Sequence, residues 1–315
     1  MGPSPSPLPV YRERVSLAIR AIGVSSQGGA MQVLDGDGRP VGPVVSWMDG
    51  RGAPFNKAFE ERLGRHWLAD RVGHGRSGVA IGQILRMKKE HPERLKPPYR
   101  IGFVGDVIVG RLCGRMATDA TSLGIAVLYN PSNDQIDGEL LAELGVERSQ
   151  LPDLLHGTEV AGMLRPEVAA ELDLPAGIPV SPAVHDQYAA ALGSGAVNSG
   201  DVMFGAGTAW VLLVISDLLA PPVSGEAFVC RHLVPGRFGQ LLSLGNGGSA
   251  VSWAAGLLGL GKAPVSAIDD LIAPVPPGSE GLLTWPHLAG AAAAGRMDGL
   301  RLSHGPMHIL RSVIE

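Results

Sequence analysis

Residues 178–216 read IPVSPAVHDQYAAALGSGAVNSGDVMFGAGTAWVLLVIS. An apolar stretch, Ile178 to Val184, runs into His185-Asp186-Gln187-Tyr188 and then into Ala189-Ala190-Ala191-Leu192-Gly193, the pattern of a strand handing over to a helix. The small residues Gly193-Ser194-Gly195-Ala196 suit a hinge or a close helix packing. Beyond them, Val202-Met203-Phe204, then Gly205-Ala206-Gly207-Thr208, then the apolar run Trp210 to Ile215 predict a β-hairpin that opens a second domain. The domain boundary is expected near Asn198.

Upstream, Arg14 to Ser25 alternates Val15, Leu17, Ile19 and Ala21 with Ser16, Ala18 and Arg20, which favours a strand at least as much as a helix. Met31 to Leu34 and Val44 to Trp47 flank Asp35-Gly36-Asp37-Gly38, whose Asp-Gly pairs favour positive φ, so a hairpin is expected. Ser77 is placed to cap a helix carrying Ile81, Ile84, Leu85 and Lys88, stopped by His91-Pro92. A second helix is expected over Asp137 to Leu144, ended by Gly145. Interleaved strands and helices indicate an α/β class, and the Pro- and Ser-rich residues 1–13 read as a flexible tail.

At 315 residues, with 45% hydrophobic and 18% charged residues, the chain has enough apolar material for a sizeable core in two domains. The net charge of −4 comes without long basic blocks, which argues against nucleic acid as a partner. No run approaches the length of a membrane span. The two cysteines, Cys113 and Cys230, lack metal-type spacing and suit a reducing compartment, so a cytoplasmic location is expected.

Asp186 admits two readings. It is a helix N-cap accepting a backbone N–H bond, or a carboxylate at the mouth between strand and helix that takes the proton from an attacking hydroxyl. Gly205 to Thr208 is likewise either a tight turn needing glycine or a cradle whose N–H groups and hydroxyl meet phosphate oxygens. Asn246-Gly247-Gly248-Ser249 is a turn and cap or a cleft wall. Asp49 and Arg51 are a structural ion pair or touch a substrate, and Trp47 is core or a stacking surface. His185 orients Asp186 or fills a polar gap, whereas His287, His304 and His308 form no metal constellation.

In their order along the chain, these residues resemble the FGGY family of carbohydrate kinases, the family of xylulokinase and glycerol kinase. Gly23-Val24-Ser25-Ser26-Gln27-Gly28-Gly29 with Leu34-Asp35 looks like the sugar-pocket loop and the hairpin after it. Trp47-Met48-Asp49-Gly50-Arg51 is similar to the family's Trp-x-Asp-x-Arg signature. Leu112-Cys113-Gly114, Met116 to Ser122 and Leu128-Tyr129 resemble the stretch that follows. The resemblance implies an actin-like, ribonuclease-H-like two-domain kinase fold, with 14–198 as the sugar-binding domain and 199–315 as part of the nucleotide-binding domain.

It further implies ATP-dependent phosphorylation of a sugar or polyol hydroxyl, with ATP and Mg²⁺ as cofactors and Asp186 as the base. Gln27, Gly28, Gly29, Asp49, Arg51 and Gln187 would line the sugar pocket, and Gly207, Thr208, Gly247 and Gly248 the phosphate site. No metal ligand is assigned among the side chains, and a homodimer is compatible with this reading. Two departures matter. Gly28-Gly29 stands where xylulokinases have Met-His, which argues against xylulose. The family's opening Asp-x-Gly-Thr/Ser hairpin is not found before Gly23, and its adenosine site would lie past Glu315, so the fold is expected to be incomplete at both termini. As it stands, the chain is expected to bind its sugar weakly without turning over ATP. The alternative is an inactive kinase remnant that binds a sugar or a partner, while the sugar-pocket loop and Asp186-Gln187 speak against an actin-like ATPase.

Overall fold

The computed structural model describes residues 19–261, 265–286 and 295–315. The expected tail, the first part of the expected strand and His287 lie outside the described residues. Strand β1 (Ile22–Ser26) begins just past the last residue of that alternation and buries Val24. After β2 (Met31–Leu34), Asp35 Oδ1 accepts from the N–H groups of Asp37 at 3.0 Å and Arg39 at 2.8 Å, and Gly38 takes a φ of +78°. The chain then returns through single bridges, Leu34 to Pro40 and Met31 to Val45. The hairpin is present, but its second arm is not a continuous strand, because Pro40 and Pro43 offer no N–H. The partner of β2 is instead β3 (Arg100–Phe103), antiparallel to it.

Helices α1 (Ala53–Leu63), α2 (Arg65–Val72) and α3 (Val79–Glu90) follow the hairpin. Helix α3 buries Ile81 and Ile84 as expected, with Met87 rather than Lys88 completing the stripe. Ser77 does not cap it. Gly78 holds the cap position, and the Ser77 hydroxyl donates to Glu60 Oε1 at 2.8 Å, tying α1 to the start of α3. Next come α4 (Val104–Cys113), β4 (Ala117–Thr118), α5 (Ala120–Ile125) and the short pair β5 (Tyr129–Asn130) and β6 (Gln135–Ile136). Helix α6 (Gly138–Leu144) forms as read: Asp137 accepts from Leu140 N–H at 2.8 Å, and Gly145 ends it at a φ of +72°.

Strands β7 (Asp153–Leu154) and β8 (Gly162–Met163), helix α7 (Pro166–Leu172), strand β9 (Pro179–His185) and helix α8 (Asp186–Ser194) complete the first half. The main sheet runs β1-β9-β4-β7 in parallel, with β8 antiparallel on β9. Parallel strands of this kind need cover on their faces. On one face Val24, Ala117, Val180 and Ala183 pack with Val109 of α4 and Ala169 of α7.

Gly195 ends α8 at a φ of +83°, and a side chain at Gly193 would meet nothing, so this small-residue run is a helix end rather than a close packing. The chain then enters an antiparallel sheet, β10 (Val202–Ala206), β11 (Trp210–Ser216), β12 (Phe228–Arg231) and β13 (Phe238–Leu244), in the order β10-β11-β13-β12. The predicted hairpin is in register, Ala206 opposite Trp210. Beyond it, α9 (Gly247–Leu257), α10 (Val265–Ile272) and α11 (Pro306–Ile314) share a small core of Ala250, Ala254, Ile268, Leu310 and Val313. Strands β14 (Leu283–Trp285) and β15 (Arg296–Asp298) form a separate ribbon. Among the described residues no helix is long and apolar enough to cross a membrane.

One core cluster runs across residue 198, joining Leu123, Tyr129, Tyr188 and Ala191 to Met203, Val211, Leu213, Ile215 and Leu241. Tyr188 is its linchpin: fully buried, it donates from its hydroxyl to the Gly239 carbonyl at 3.4 Å, and a Cβ at Gly239 would stand 2.7 Å from the ring. Tyr188→Ala is expected to lower stability by about 3–5 kcal/mol, and Tyr188→Phe, which removes one long hydrogen bond, by about 1 kcal/mol. Urea midpoints check both.

Candidate functional site

In parallel α/β sheets, ligands gather at the carboxyl ends of the strands. β1 and β9 are direct neighbours with Ser26 opposite His185, so the loops leaving them, Gln27-Gly28-Gly29 and His185-Asp186, begin side by side. The inner side of the Gln27–Gly29 loop is closed by Phe103, Gly105, Thr118, Ser122 and Ala183. Gln27 itself is exposed, so a ligand would reach it from the outer side.

Polar groups clamp the end of β9. The Ala183 carbonyl accepts from Asp119 N–H at 2.9 Å, Thr118 Oγ1 at 3.3 Å and Ser122 Oγ at 3.4 Å. His185 N–H donates to Thr121 Oγ1 at 3.0 Å, and that hydroxyl donates to Asp119 Oδ1 at 2.7 Å. Burial pushes the Asp119 carboxyl up to about 6 against the pull of its hydrogen bonds to Thr121 and Ser122. Sequence reading did not single out this network. Its signal was the cap pattern Asp119-Ala120-Thr121-Ser122 ahead of α5, where Asp119 accepts from Ser122 N–H at 3.1 Å.

Asp186 is the first residue of α8 and does not cap it: His185 holds the cap position, and among the described residues no backbone N–H bonds to the Asp186 carboxylate. That carboxylate is 44% exposed, with His185 Nε2 at 3.3 Å from Oδ1. The capping reading therefore fails and leaves a free acceptor at the strand end. Gln187 points toward β10, where a Cβ at Gly205 would stand 3.0 Å from its Oε1. Helix α8 runs toward Asp201, which accepts from Val197 and Asn198 N–H groups, and β10 runs back toward Gln187. The turn after β10, with Gly207 and Thr208, thus lies at the same end as Asp186. Thr208 is exposed, and its hydroxyl has no partner among the described residues.

Gly247 and Gly248 lie beneath that turn. Gly248 N–H donates to the Gly207 carbonyl at 3.1 Å and Ser249 N–H to the Thr208 carbonyl at 3.1 Å. A side chain at Gly247 would collide with the Trp210 ring, and one at Gly248 with Gly207. These glycines permit a close approach that seats α9 on the hairpin, and the Gly248 amide is committed to it.

Asp49 and Arg51 are joined to each other. Asp49 Oδ1 accepts from Arg51 N–H at 3.0 Å, Arg51 Nε lies 2.9 Å from both carboxylate oxygens, and Gln83 donates to the Asp49 carbonyl at 3.0 Å. The Arg51 guanidinium holds the Asp49 carboxyl well below the usual carboxylate range. This pair shapes the turn ahead of α1, and Trp47, 3.8 Å from a Cβ at Gly29, links that turn to the Gln27–Gly29 loop. The structure thus gathers Gln27 to Gly29, Asp186, Gln187, Gly207 and Thr208 at one end, with Asp49 and Arg51 behind Trp47. His304 and His308 lie 5.3 Å apart ring to ring, and no metal-binding group of three or more His, Cys, Asp or Glu side chains occurs among the described residues.

Residues 12–193 match the model of the N-terminal domain of the FGGY family of carbohydrate kinases. The xylulose kinase of Escherichia coli (strain K12) is 27% identical over 308 residues, covering 94% of this chain and 62% of that protein. The L-fuculokinase of Salmonella typhi is 27% identical over 307 residues, covering 94% of this chain and 63% of that protein. The crystal structure of xylulose kinase from Rhodospirillum rubrum superposes with a TM-score of 0.81 at 26% identity, covering 93% of this chain and 61% of that one. The chain therefore spans somewhat over three fifths of the length of these relatives.

Burial pushes the His185 ring down from 6.5 to about 4. Between those values the unfolded chain binds a proton that the folded chain refuses, so stability is whole above pH 6.5 and falls as pH drops through the window. His74, stacked on Phe228 and also pushed down to about 4 by burial, acts in the same direction. Asp119 acts oppositely, losing stability as pH rises from 3.8 to about 6. In His185→Gln, the fall in urea midpoint from pH 7 to pH 5 is expected to be smaller than in the unaltered protein.

Proposed function

The chain belongs to the FGGY family of carbohydrate kinases, and on that premise we propose that it takes part in ATP-dependent phosphorylation of a sugar or polyol hydroxyl. The observation that carries this reading is the Asp186 carboxylate, half exposed at the end of β9, without a capping bond among the described residues and at the same end as the Gly207–Thr208 turn. In this reading residues 14–198 hold the sugar and 199–315 contribute to the nucleotide side.

Asp186 accepts the proton of the acceptor hydroxyl as its oxygen attacks phosphorus. Gln27 and Gly28 present the loop surface next to it, with Gly29 buried behind them, and Gln187 sits between the base and the hairpin. Asp49 and Arg51 act one step back, by setting the turn that carries Trp47 against Gly29. Thr208, with an open hydroxyl on a turn that α9 braces through Gly247 and Gly248, fits a phosphate oxygen. ATP supplies the phosphoryl group when bound. Among the described residues the side chains do not form a dedicated metal cage, and Mg²⁺ in such sites is commonly held largely through phosphate oxygens and water. Catalysis would then rest on positioning and on electrostatic complementarity to the transferring group.

In a version of the chain extended to the length of its relatives, Mg-ATP and a panel of ketoses, aldoses and polyols are expected to give ADP release with one class of acceptor. Asp186→Asn should lower that turnover by about two to four orders of magnitude at an almost unchanged urea midpoint, since the carboxylate caps nothing. Full turnover in Asp186→Asn would remove the base from this mechanism.

A further inference from the structure

The end of β9 carries an imidazole that the phosphoryl transfer above leaves without a role. His185 is 6% exposed, and its ring is confined from several directions. The Tyr188 ring lies edge-on at 6.1 Å. On the β1 side, a Cβ at Gly28 would stand 2.7 Å from His185 Cδ2, 3.0 Å from Nε2 and 2.6 Å from Ile125 Cγ2. Only a residue without a side chain at position 28 leaves the ring where it is. The main chain is fastened as well, through the bond from His185 N–H to Thr121 Oγ1 at 3.0 Å.

Held in this way, the ring brings Nε2 to 3.3 Å from Asp186 Oδ1, an electrostatic contact that has not closed into a hydrogen bond, and Nδ1 is buried without a partner among the described residues. A carboxylate oxygen accepts, so a proton on the nitrogen nearest to it is the tautomer this contact favours, and that tautomer leaves the Nδ1 lone pair unused. A buried acceptor without a donor is destabilising. An arrangement of that kind persists where the surrounding structure over-determines it.

We propose that His185 is a positioning residue for Asp186, its Nε2–H setting the direction in which the carboxylate faces the acceptor hydroxyl. This rests on the reading of Asp186 as the base. In the transfer, the acceptor O–H bond breaks and its proton moves to the Asp186 carboxylate. The acceptor oxygen forms its bond to phosphorus while the bridging P–O bond of the nucleotide breaks, leaving ADP. The His185 ring keeps its own proton throughout. Burial, which pushes this ring down to about 4, keeps it uncharged near neutral pH, so it does not compete for the proton that Asp186 takes up.

Two replacements separate positioning from space-filling. His185→Phe keeps the aromatic bulk and removes the N–H, while His185→Gln keeps a donor. With Mg-ATP and the best acceptor of the panel, His185→Phe is expected to lower kcat by up to about a hundredfold with the acceptor KM little changed, and His185→Gln to recover part of the loss. A His185→Phe enzyme with unaltered kcat, beside an inactive Asp186→Asn enzyme, overturns the proposal and leaves the base reading standing. Full turnover in Asp186→Asn overturns both. Nitrogen-resolved NMR of the His185 ring gives a readout that needs no turnover: an Nε2–H tautomer is expected, with an Nε2 shift that moves in Asp186→Asn. A ring protonated at Nδ1, or one that does not respond to Asp186→Asn, overturns the proposal even in a protein without measurable turnover.

Discussion

The parallel pairing of β1 with β9 is the constraint on which the rest of the site depends. A parallel pair cannot be closed by a short turn, so the chain must cross over between its strands, and here the crossover is the body of the first half. The pairing sets Ser26 against His185, and that one register places the Gln27–Gly29 loop beside Asp186. A slip of one residue would send every side chain of β9 to the opposite face. The hydrogen bonds converging on the Ala183 carbonyl, and the one from His185 N–H to Thr121, oppose such a slip at the end where it would do most harm.

From that edge, rigidity passes into the second sheet through packing rather than through charge. Tyr188 follows Asp186 by half a turn of α8 and is buried where the two sheets meet, so the proposed base and the residue that holds the halves together share a helix. The close approaches at Gly239 and Gly247 serve the same end. Large rings, Tyr188 and Trp210, lie against bare backbone, and interiors at this density leave little room for independent movement of the hairpin turn.

The two carboxylates that sequence reading placed near the substrate have opposite surroundings. Asp49 is saturated by Arg51 and by a backbone N–H of its own turn. Asp186 has one neutral ring beside it and is otherwise open. Structural work uses up hydrogen-bonding capacity, and a proton acceptor needs it left over. On this ground the proposed proton transfer is assigned to Asp186, and Asp49 to the scaffold.

The sequence by itself determined the local elements and nominated the candidate reactive groups. The apolar stretch Ile178–Val184 leading into a helix, the hairpin over 202–215 and the helix from Asp137 ended by Gly145 rest on short-range rules of composition, turn conformation and capping, and each formed as read. Where a local rule had two outcomes, tertiary structure chose. Ser77 had a capping hydroxyl but gave it to Glu60 on another helix, and Asp186 stood at a cap position in sequence but one residue inside the helix in space. Only the tertiary structure decided that Gly28 makes room for the His185 ring, that Gly248 spends its amide on Gly207, and that Asp119, Thr121 and His185 form one network. Those contacts join residues far apart in the chain. Their energies depend on distance and burial after folding, quantities that local periodicity and composition do not encode.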